Sequence, residues 1–462
     1  MCGIAGYMGP GDVITTILSL LIELQHRGQE SAGIAVATRG GEIHRIVGRG
    51  LVVEALNNEK TLQLRGVDEI VGGIGHVRYS TSGGYLDSQA QPILVGDENF
   101  RIAVAFNGTI ANFSSIAKLL RIVDADGDAK VLAAFLFRLA KEFGNDVVEA
   151  LKVLPHYVVG GYSVAVLTSE PRIVVARDPH GFRPLAILHT GSDFYVASET
   201  AALDIVTGHL WRWREVLPGE IISYDGSSLE FTKSPISAPI SPCVFEYVYF
   251  SRPDSVFNGV SIYVSRVRMG EELARAAPAM GDVVVPVPDS GRAAAIGFSR
   301  ASGLPLEEGI VVNKYVGRGF IAPPRSREII SRLKYGFIKS VVSGKKVVLI
   351  DDSIVRGTTM RSIVRRLREA GASEVHVRVA SPPFRYPCFM GIDVASREQL
   401  LAWRAMSLDE IAKALNADSV GYNTIEGLRR AVGIPLICHA CFTGLYPFKG
   451  LDADALEKMF IR

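Results

Sequence analysis

Cysteine is scarce in this chain: five among 462 residues, an odd number. That count excludes the dense disulfide framework of a small secreted protein. Net charge is scarce too, since Lys+Arg 50 against Asp+Glu 48 leaves +2. No strong field of either sign draws the chain to nucleic acid or to an anionic membrane. Long apolar runs are missing. The most apolar stretch, around residues 157–168, ends after about a dozen residues and contains glycine, too short for a bilayer. The opening MCGIAGYMGPGD has no basic segment leading into an apolar one, so no secretory signal is expected and the expected location is cytoplasmic. What remains is the composition of ordinary folded protein, 48% hydrophobic and 21% charged, at a length that suits two or three domains.

The pattern changes along the chain. Up to about residue 225, short apolar or alternating runs such as 33–38, 101–106, 163–167 and 173–176 read as strands of antiparallel sheets. Helical periodicity over 14–25 and 130–143 interrupts them, which predicts layered sheets with helices outside. TKSPISAPISP at 232–242 has no period and reads as a linker. Beyond it, apolar runs at 282–287, 346–350 and 374–380 alternate with helical segments at 261–276, 291–302 and 359–370. That rhythm predicts a parallel sheet with helices on both faces. The expected domains are therefore 2–231 and 243–462. Ser396-x-x-Gln399 and Ser407-x-x-Glu410 read as capping boxes of two further helices.

Three groups of residues carry chemistry. Removal of Met1 would make Cys2 the first residue, and its own α-amino group, with a pKa near ~8, could serve its thiol as the adjacent base. The segment Val347–Thr359 places Asp351 and Asp352 at the end of a buried strand and runs through Arg356-Gly357-Thr358-Thr359 into a helix. Backbone N–H groups and threonine hydroxyls there form an anion site, and the paired acids suit Mg²⁺ or sugar hydroxyls. The remaining cysteines, Cys243, Cys388, Cys438 and Cys441, form a four-thiolate set for a [4Fe–4S] cluster or a zinc ion. Singly, several of these residues have plainer readings: Asn107-Gly108 as a hairpin turn, Asp128 as a helix cap, Arg78 as a surface ion-pair partner.

The order of motifs is more specific than any one of them. Gln25-His-Arg-Gly-Gln-Glu-Ser-x-Gly33, His76-Val-Arg-Tyr-Ser-Thr81, Asn107-Gly108 and Arg177-Asp-Pro-x-Gly-x-Arg-Pro184 behind Met-Cys-Gly-Ile resemble the class II glutamine amidotransferase domain. That is an N-terminal-nucleophile hydrolase of αββα layers. The resemblance implies that Arg78 holds the glutamine carboxylate, Asp128 its ammonium, and Asn107 with the Gly108 N–H the oxyanion. Where the family usually has Asp-Thr/Ser-Glu, this chain has Asp128-Ala-Lys130.

The phosphate loop resembles the PRPP signature of type I phosphoribosyltransferases. Phe245-Glu-Tyr-Val-Tyr-Phe, Val285-Pro-Val-Pro-Asp-Ser-Gly291, Lys314-Tyr-Val-Gly-Arg318 and Ser381-Pro-Pro-x-x-Tyr-Pro-Cys388 narrow the match to the amidophosphoribosyltransferase family. It implies that Arg356, Gly357, Thr358 and Thr359 hold the 5′-phosphate, and that Asp351, Asp352 and Ser290 stand at ribose and Mg²⁺. It also implies Asp289 beside the pyrophosphate and Lys334 on a loop that closes over PRPP. The contexts of Cys388 and Cys438-His-Ala-Cys441 resemble the iron–sulfur branch of the family, for which [4Fe–4S] is the expectation and Zn²⁺ the alternative. Glutamine and PRPP are the implied small-molecule partners, purine nucleotides the implied inhibitors, and a homo-oligomer (tetramer or dimer) the implied assembly. Two rival readings keep the fold and lose part of the chemistry: a PRPP-sensing regulator, and a paralogue with an inactive glutaminase half.

Overall fold

Strand alternation that buries one residue in two against a helix layer and the next against a second sheet explains the first half of the chain. In this computed structural model, which describes residues 2–79, 89–122, 126–313, 333–392, 394, 396–405 and 407–461, two antiparallel sheets stack there. The first has seven strands in the order Arg214–Glu215, Ala186–Thr190, Asp193–Ala197, Gly3–Met8, Ile70–Arg78, Ser31–Thr38, Ile43–Arg49. The second has six: Leu229–Lys233, Glu220–Tyr224, Arg172–Arg177, Gly160–Thr168, Arg101–Ile110, Ile93–Gly96. Ile4, Ile74, Ala103, Ala105, Ala165 and Val175 pack between them. Ala5, Tyr7 and Val77 point the other way, onto helices Val13–Glu23 and Thr200–Thr207. Helices Asp128–Glu142 and Val147–Val153 cover the outer face of the second sheet. The four layers are α, β, β, α, as the resemblance implied.

The strand Leu229–Lys233 takes in Thr232 and Lys233, and from Ser234 to Pro242 the chain has no regular element. That segment is tied down at its end. Ser241 N–H donates to His180 O at 2.7 Å and Cys243 N–H to Phe182 O at 3.2 Å.

The second half is built on four parallel strands, Val283–Pro286, Lys346–Asp351, Glu374–Val379 and Ser419–Tyr422, neighbours in that order. Their near-continuous Val/Ile/Leu composition follows from burial on both faces. Helices Ile262–Ala276 and Arg292–Ser302 pack on one face. Thr358–Glu369 and Leu408–Leu415 pack on the other. One local expectation is corrected. Ser407 does open a helix, accepting from Glu410 N–H at 3.2 Å, whereas Ser396 precedes only the single 3₁₀ turn Arg397–Gln399. Its hydroxyl bonds the Glu398 carboxylate two residues on, a local partner that competes with capping. Ser80 and Thr81, the segment Lys314–Arg318, and the departures at 319–327 lie outside the described residues.

Candidate active sites

The strands Gly3–Met8 and Ile70–Arg78 are paired antiparallel, and their ends bring Cys2 and Arg78 to one cavity. Gly108 and Asp128 line it as well. Asn107 lies mid-strand in Arg101–Ile110, not in a hairpin turn. Its Oδ1 accepts from the Cys2 nitrogen at 3.2 Å, and its Nδ2 is buried with no partner. An unused amide donor beside the Cys2 backbone is the kind of group that can stabilise a developing oxyanion. A side chain at Gly108 would put its Cβ 1.9 Å from Gly161 O, so only glycine lets the two strands approach there.

Asp128 is the first residue of its helix, and the preceding Gly127 takes the cap position. One carboxylate oxygen accepts from Ile110 N–H at 3.1 Å. Burial pushes this carboxyl up to about 6, against the opposing pull of that hydrogen bond and of Arg78. Arg78 is 6% exposed and pairs with Glu30 at 3.4 Å and with the side-chain oxygen of Gln89. Lys130, which departs from the family pattern, pairs with Asp126 at 3.4 Å one turn back and does not line the cavity.

Cys2 itself is buried, and Arg27 Nε donates to its carbonyl at 2.9 Å. Burial alone would raise the thiol; the charge of neighbouring His76 leads the effects that together outweigh it and bring Cys2 down to about 6. Sequence reasoning gave no role to His76, Arg27 or Gln89, although His76 and Arg27 sit inside the quoted motifs.

At the second site, Asp351 and Asp352 end the strand Lys346–Asp351 and are both buried. Burial, then the neighbouring Asp352, raises Asp351 well above the usual carboxylate range, while Lys334 pulls it down. The turn at Asp289-Ser290-Gly291 is docked on the same strand end: Val287 N–H donates to Ile350 O at 2.8 Å. Burial, and then the charges of Asp351, Asp352 and Asp289, raise the Tyr335 hydroxyl. Asp289 remains exposed and stands 3.5 Å from Arg292.

Gly357 adopts φ 80° and caps the helix Thr358–Glu369, leaving Thr358 and Thr359 exposed at its N-terminus. The Arg356 guanidinium reaches sideways to Gln399 Oε1 at 3.1 Å. Its place before the helix is thus held by a side-chain strut that the sequence did not reveal.

The four remaining cysteines are all buried and come from three separate segments. Cys243 and Cys438 form a backbone bridge, with Cys438 N–H donating to Pro242 O at 2.8 Å. Burial raises Cys243 to about 11, and the proximity of Cys388 adds to it. Cys441 is raised well above its ordinary value, by burial and then by Cys388, Cys243 and Cys438. Arg183 lies beside Cys243 and Cys388, and its buried Nη2 has no partner. Among the described residues, no three His, Cys, Asp or Glu side chains stand together as a single metal ion would require.

A cysteine cavity in a layered glutaminase sandwich, joined to a parallel-sheet domain with an Asp-Asp pair and a helix-capping anion loop, defines a glutamine-dependent phosphoribosyl transferase. A glutamine amidotransferase domain profile matches residues 76–205 and a phosphoribosyl transferase domain profile matches residues 268–381. The amidophosphoribosyltransferase of Pyrococcus horikoshii is 45% identical over 98% of this chain and 97% of its own length. That of Bacillus subtilis is 40% identical over 96% and 94%. The solved structure of the B. subtilis glutamine PRPP amidotransferase, in complex with ADP and GMP, superposes with a TM-score of 0.85 at 37% identity, covering 98% of this chain and all (100%) of that one. A structure of the allosteric regulatory enzyme of purine biosynthesis gives 0.86 at 38%, covering 99% of each. The chain belongs to the amidophosphoribosyltransferase family. Its chemistry is glutamine-dependent amination of PRPP in purine biosynthesis.

Proposed function

We propose that Cys2, made the first residue by removal of Met1, attacks the side-chain amide of glutamine, with its own α-amino group as the adjacent acid–base. Arg78 binds the substrate carboxylate, Asp128 the ammonium, and Asn107 Nδ2 with the Gly108 N–H the oxyanion. The single observation carrying this reading is the convergence of Cys2, Arg78, Gly108 and Asp128 on one cavity with an unpartnered Asn107 amide beside it. Ammonia then attacks C1 of PRPP, giving 5-phosphoribosylamine and pyrophosphate. The loop Arg356–Thr359 binds the 5′-phosphate, and Asp351 and Asp352 bind the ribose hydroxyls. Asp289 and Ser290 lie by the pyrophosphate, and Lys334 closes over it. Asp351, Asp352 and Ser290 would hold Mg²⁺, which would supply positive charge to the departing pyrophosphate. Two adjacent buried carboxyls, Asp351 raised by burial and by its neighbour, suit that cation.

The domains are taken as 2–231 and 243–462, joined by 232–242. Cys243, Cys388, Cys438 and Cys441 hold a structural [4Fe–4S] cluster. Buried thiols that raise one another, together with an orphan Arg183 donor, suit an anionic multi-iron group. Purine nucleotides are the proposed inhibitors, since the B. subtilis relative was solved with ADP and GMP. A homo-oligomer, dimer or tetramer, is the proposed assembly, and the cytoplasm the proposed location. No helix among the described residues is long and apolar enough to cross a membrane.

The test is Cys2→Ala, assayed for glutamate and pyrophosphate release. Glutamine-dependent turnover is expected to vanish while ammonia-dependent synthesis persists. Loss of both in a folded protein overturns the two-site scheme. Neither product from the unaltered protein supports a sensor instead.

A further inference from the structure

The scheme above leaves one buried titratable side chain beside the nucleophile unused. Ile4 lies opposite His76 across the strand pair, and strand alternation sends Cys2, Ile4 and His76 to the same inner face between the two sheets. Diagonal neighbours on such a pair sit about 7–8 Å apart, within reach of a long side chain. His76 is 0% exposed. Its Nε2 lies 3.0 Å from Phe106 O, a strand of the second sheet. A carbonyl only accepts, so Nε2 carries hydrogen. The other ring nitrogen, Nδ1, is buried and has no hydrogen-bond partner. Leaving a buried polar atom unmatched costs about 1–3 kcal/mol, so its retention beside a reactive sulfur calls for a reason.

We infer that His76 is the charge partner of the nucleophile: as an imidazolium anchored on the Phe106 carbonyl, it turns Nδ1–H to Cys2 Sγ and keeps the sulfur a thiolate before glutamine arrives. The inference rests on Cys2 being the nucleophile. Cys2 Sγ now stands 3.9 Å from Tyr79 O; burial opposes its ionisation, and the charge of His76 leads the effects that bring the thiol from 9.0 down to about 6. Other charged groups around the sulfur are Arg27, bound to the Cys2 carbonyl, and Arg78 and Asp128 across the cavity, with Glu30 on Arg78.

The proton inventory closes. The S–H proton moves once to Nδ1 and stays there. The thiolate forms a C–S bond to the amide carbon as the carbonyl electron pair moves onto oxygen. On collapse the C–N bond breaks, and the departing nitrogen takes a proton from the Cys2 α-ammonium to leave as ammonia. The amine, now neutral, takes a proton from water while hydroxide attacks the thioester. The C–S bond breaks, glutamate leaves with its acid proton lost to solvent, and the thiolate–imidazolium pair is restored. His76 thus frees the terminal amine to act as acid in the first half and base in the second.

The test is the pH profile of Cys2 alkylation by iodoacetamide, read by mass spectrometry of the N-terminal peptide in the full chain. His76→Gln keeps a donor for Phe106 O and removes the ring cation; His76→Asn keeps a short amide near Nδ1 and loses the Phe106 bond. The unaltered protein is expected to show an inflection at about 6. In His76→Gln the inflection rises by at least about one pH unit, a roughly fivefold slower alkylation at pH ~6, and turnover on glutamine falls with KM little changed. A His76→Gln profile that superposes on the unaltered one, in protein with an unaltered melting transition, overturns the inference and leaves the amine as sole base. If His76→Gln does not fold, the same reading is taken on His76→Asn. Should Cys2→Ala retain glutamine-dependent synthesis, the nucleophile assignment fails and this inference with it.

Discussion

Arg27 and Glu246, far apart in sequence, form an ion pair at 2.8 Å with both side chains wholly buried. Arg27 also donates to the Cys2 carbonyl, and Glu246 also pairs with Arg183 at 3.3 Å. Arg183 in turn donates to Met390 O, two residues from Cys388, so a chain of buried charges runs from Cys2 to the cysteine group. Burial alone would raise Glu246; Arg27 and Arg183 overcome it and hold the carboxyl below its usual range.

Removing that carboxylate leaves two buried guanidiniums short of an anion. Glu246→Gln is expected to cost about 3–5 kcal/mol, the usual penalty for breaking one side of a buried pair. Lowering of the first thermal unfolding transition, with weakened glutaminase turnover, checks it. An unchanged melt would show that Glu199, which also pairs with Arg27, suffices alone.

Asp128 ties pH to substrate binding. Its folded pKa, raised to about 6, lies above the ordinary 3.8. Ionisation therefore costs the folded protein: the contribution to stability is full below the ordinary value and is lost as pH rises through about 6. Binding of a substrate ammonium needs the ionised form, so KM for glutamine should rise as pH falls below about 6. Asp128→Asn should raise that KM about 10- to 100-fold at neutral pH, the worth of a charged hydrogen bond, and flatten its pH dependence. It should also make the ligand-free protein more stable above that pH.

Gly357 sits at φ 80° before the helix Thr358–Glu369, and a Cβ there would meet Leu401 Cδ2 at 2.6 Å. Leucine can give way, but the left-handed backbone of an alanine costs about 1–2 kcal/mol. Gly357→Ala should raise KM for PRPP in the ammonia-dependent assay and leave glutamine hydrolysis by Cys2 close to unaltered.

For the cysteine group, anaerobically purified protein should carry iron with broad visible absorption, and Cys438→Ser should lose both. Loss of the group these thiols hold should also lower the unfolding temperature of that variant. Zinc in place of iron in the unaltered protein would reverse the assignment.

Periodicity made the layers legible in the sequence. Period-two runs such as 101–106 extended to the strand Arg101–Ile110, continuous Val/Ile/Leu runs became the parallel strands, and 130–143 became most of the helix Asp128–Glu142. These patterns are local, written within a few residues of chain, as are the motifs around Cys2, Asp351-Asp352 and Cys438-x-x-Cys441. Ser396 misled because a hydroxyl chooses between a cap and a nearer partner, a balance set by what the helix packs against. The meeting of Arg27 with Glu246, of His76 with Phe106 O and the Cys2 thiol, and of Arg356 with Gln399 was invisible in the sequence. Such contacts join residues on separate strands and separate domains, and their strength comes from burial, which exists only once the layers have closed.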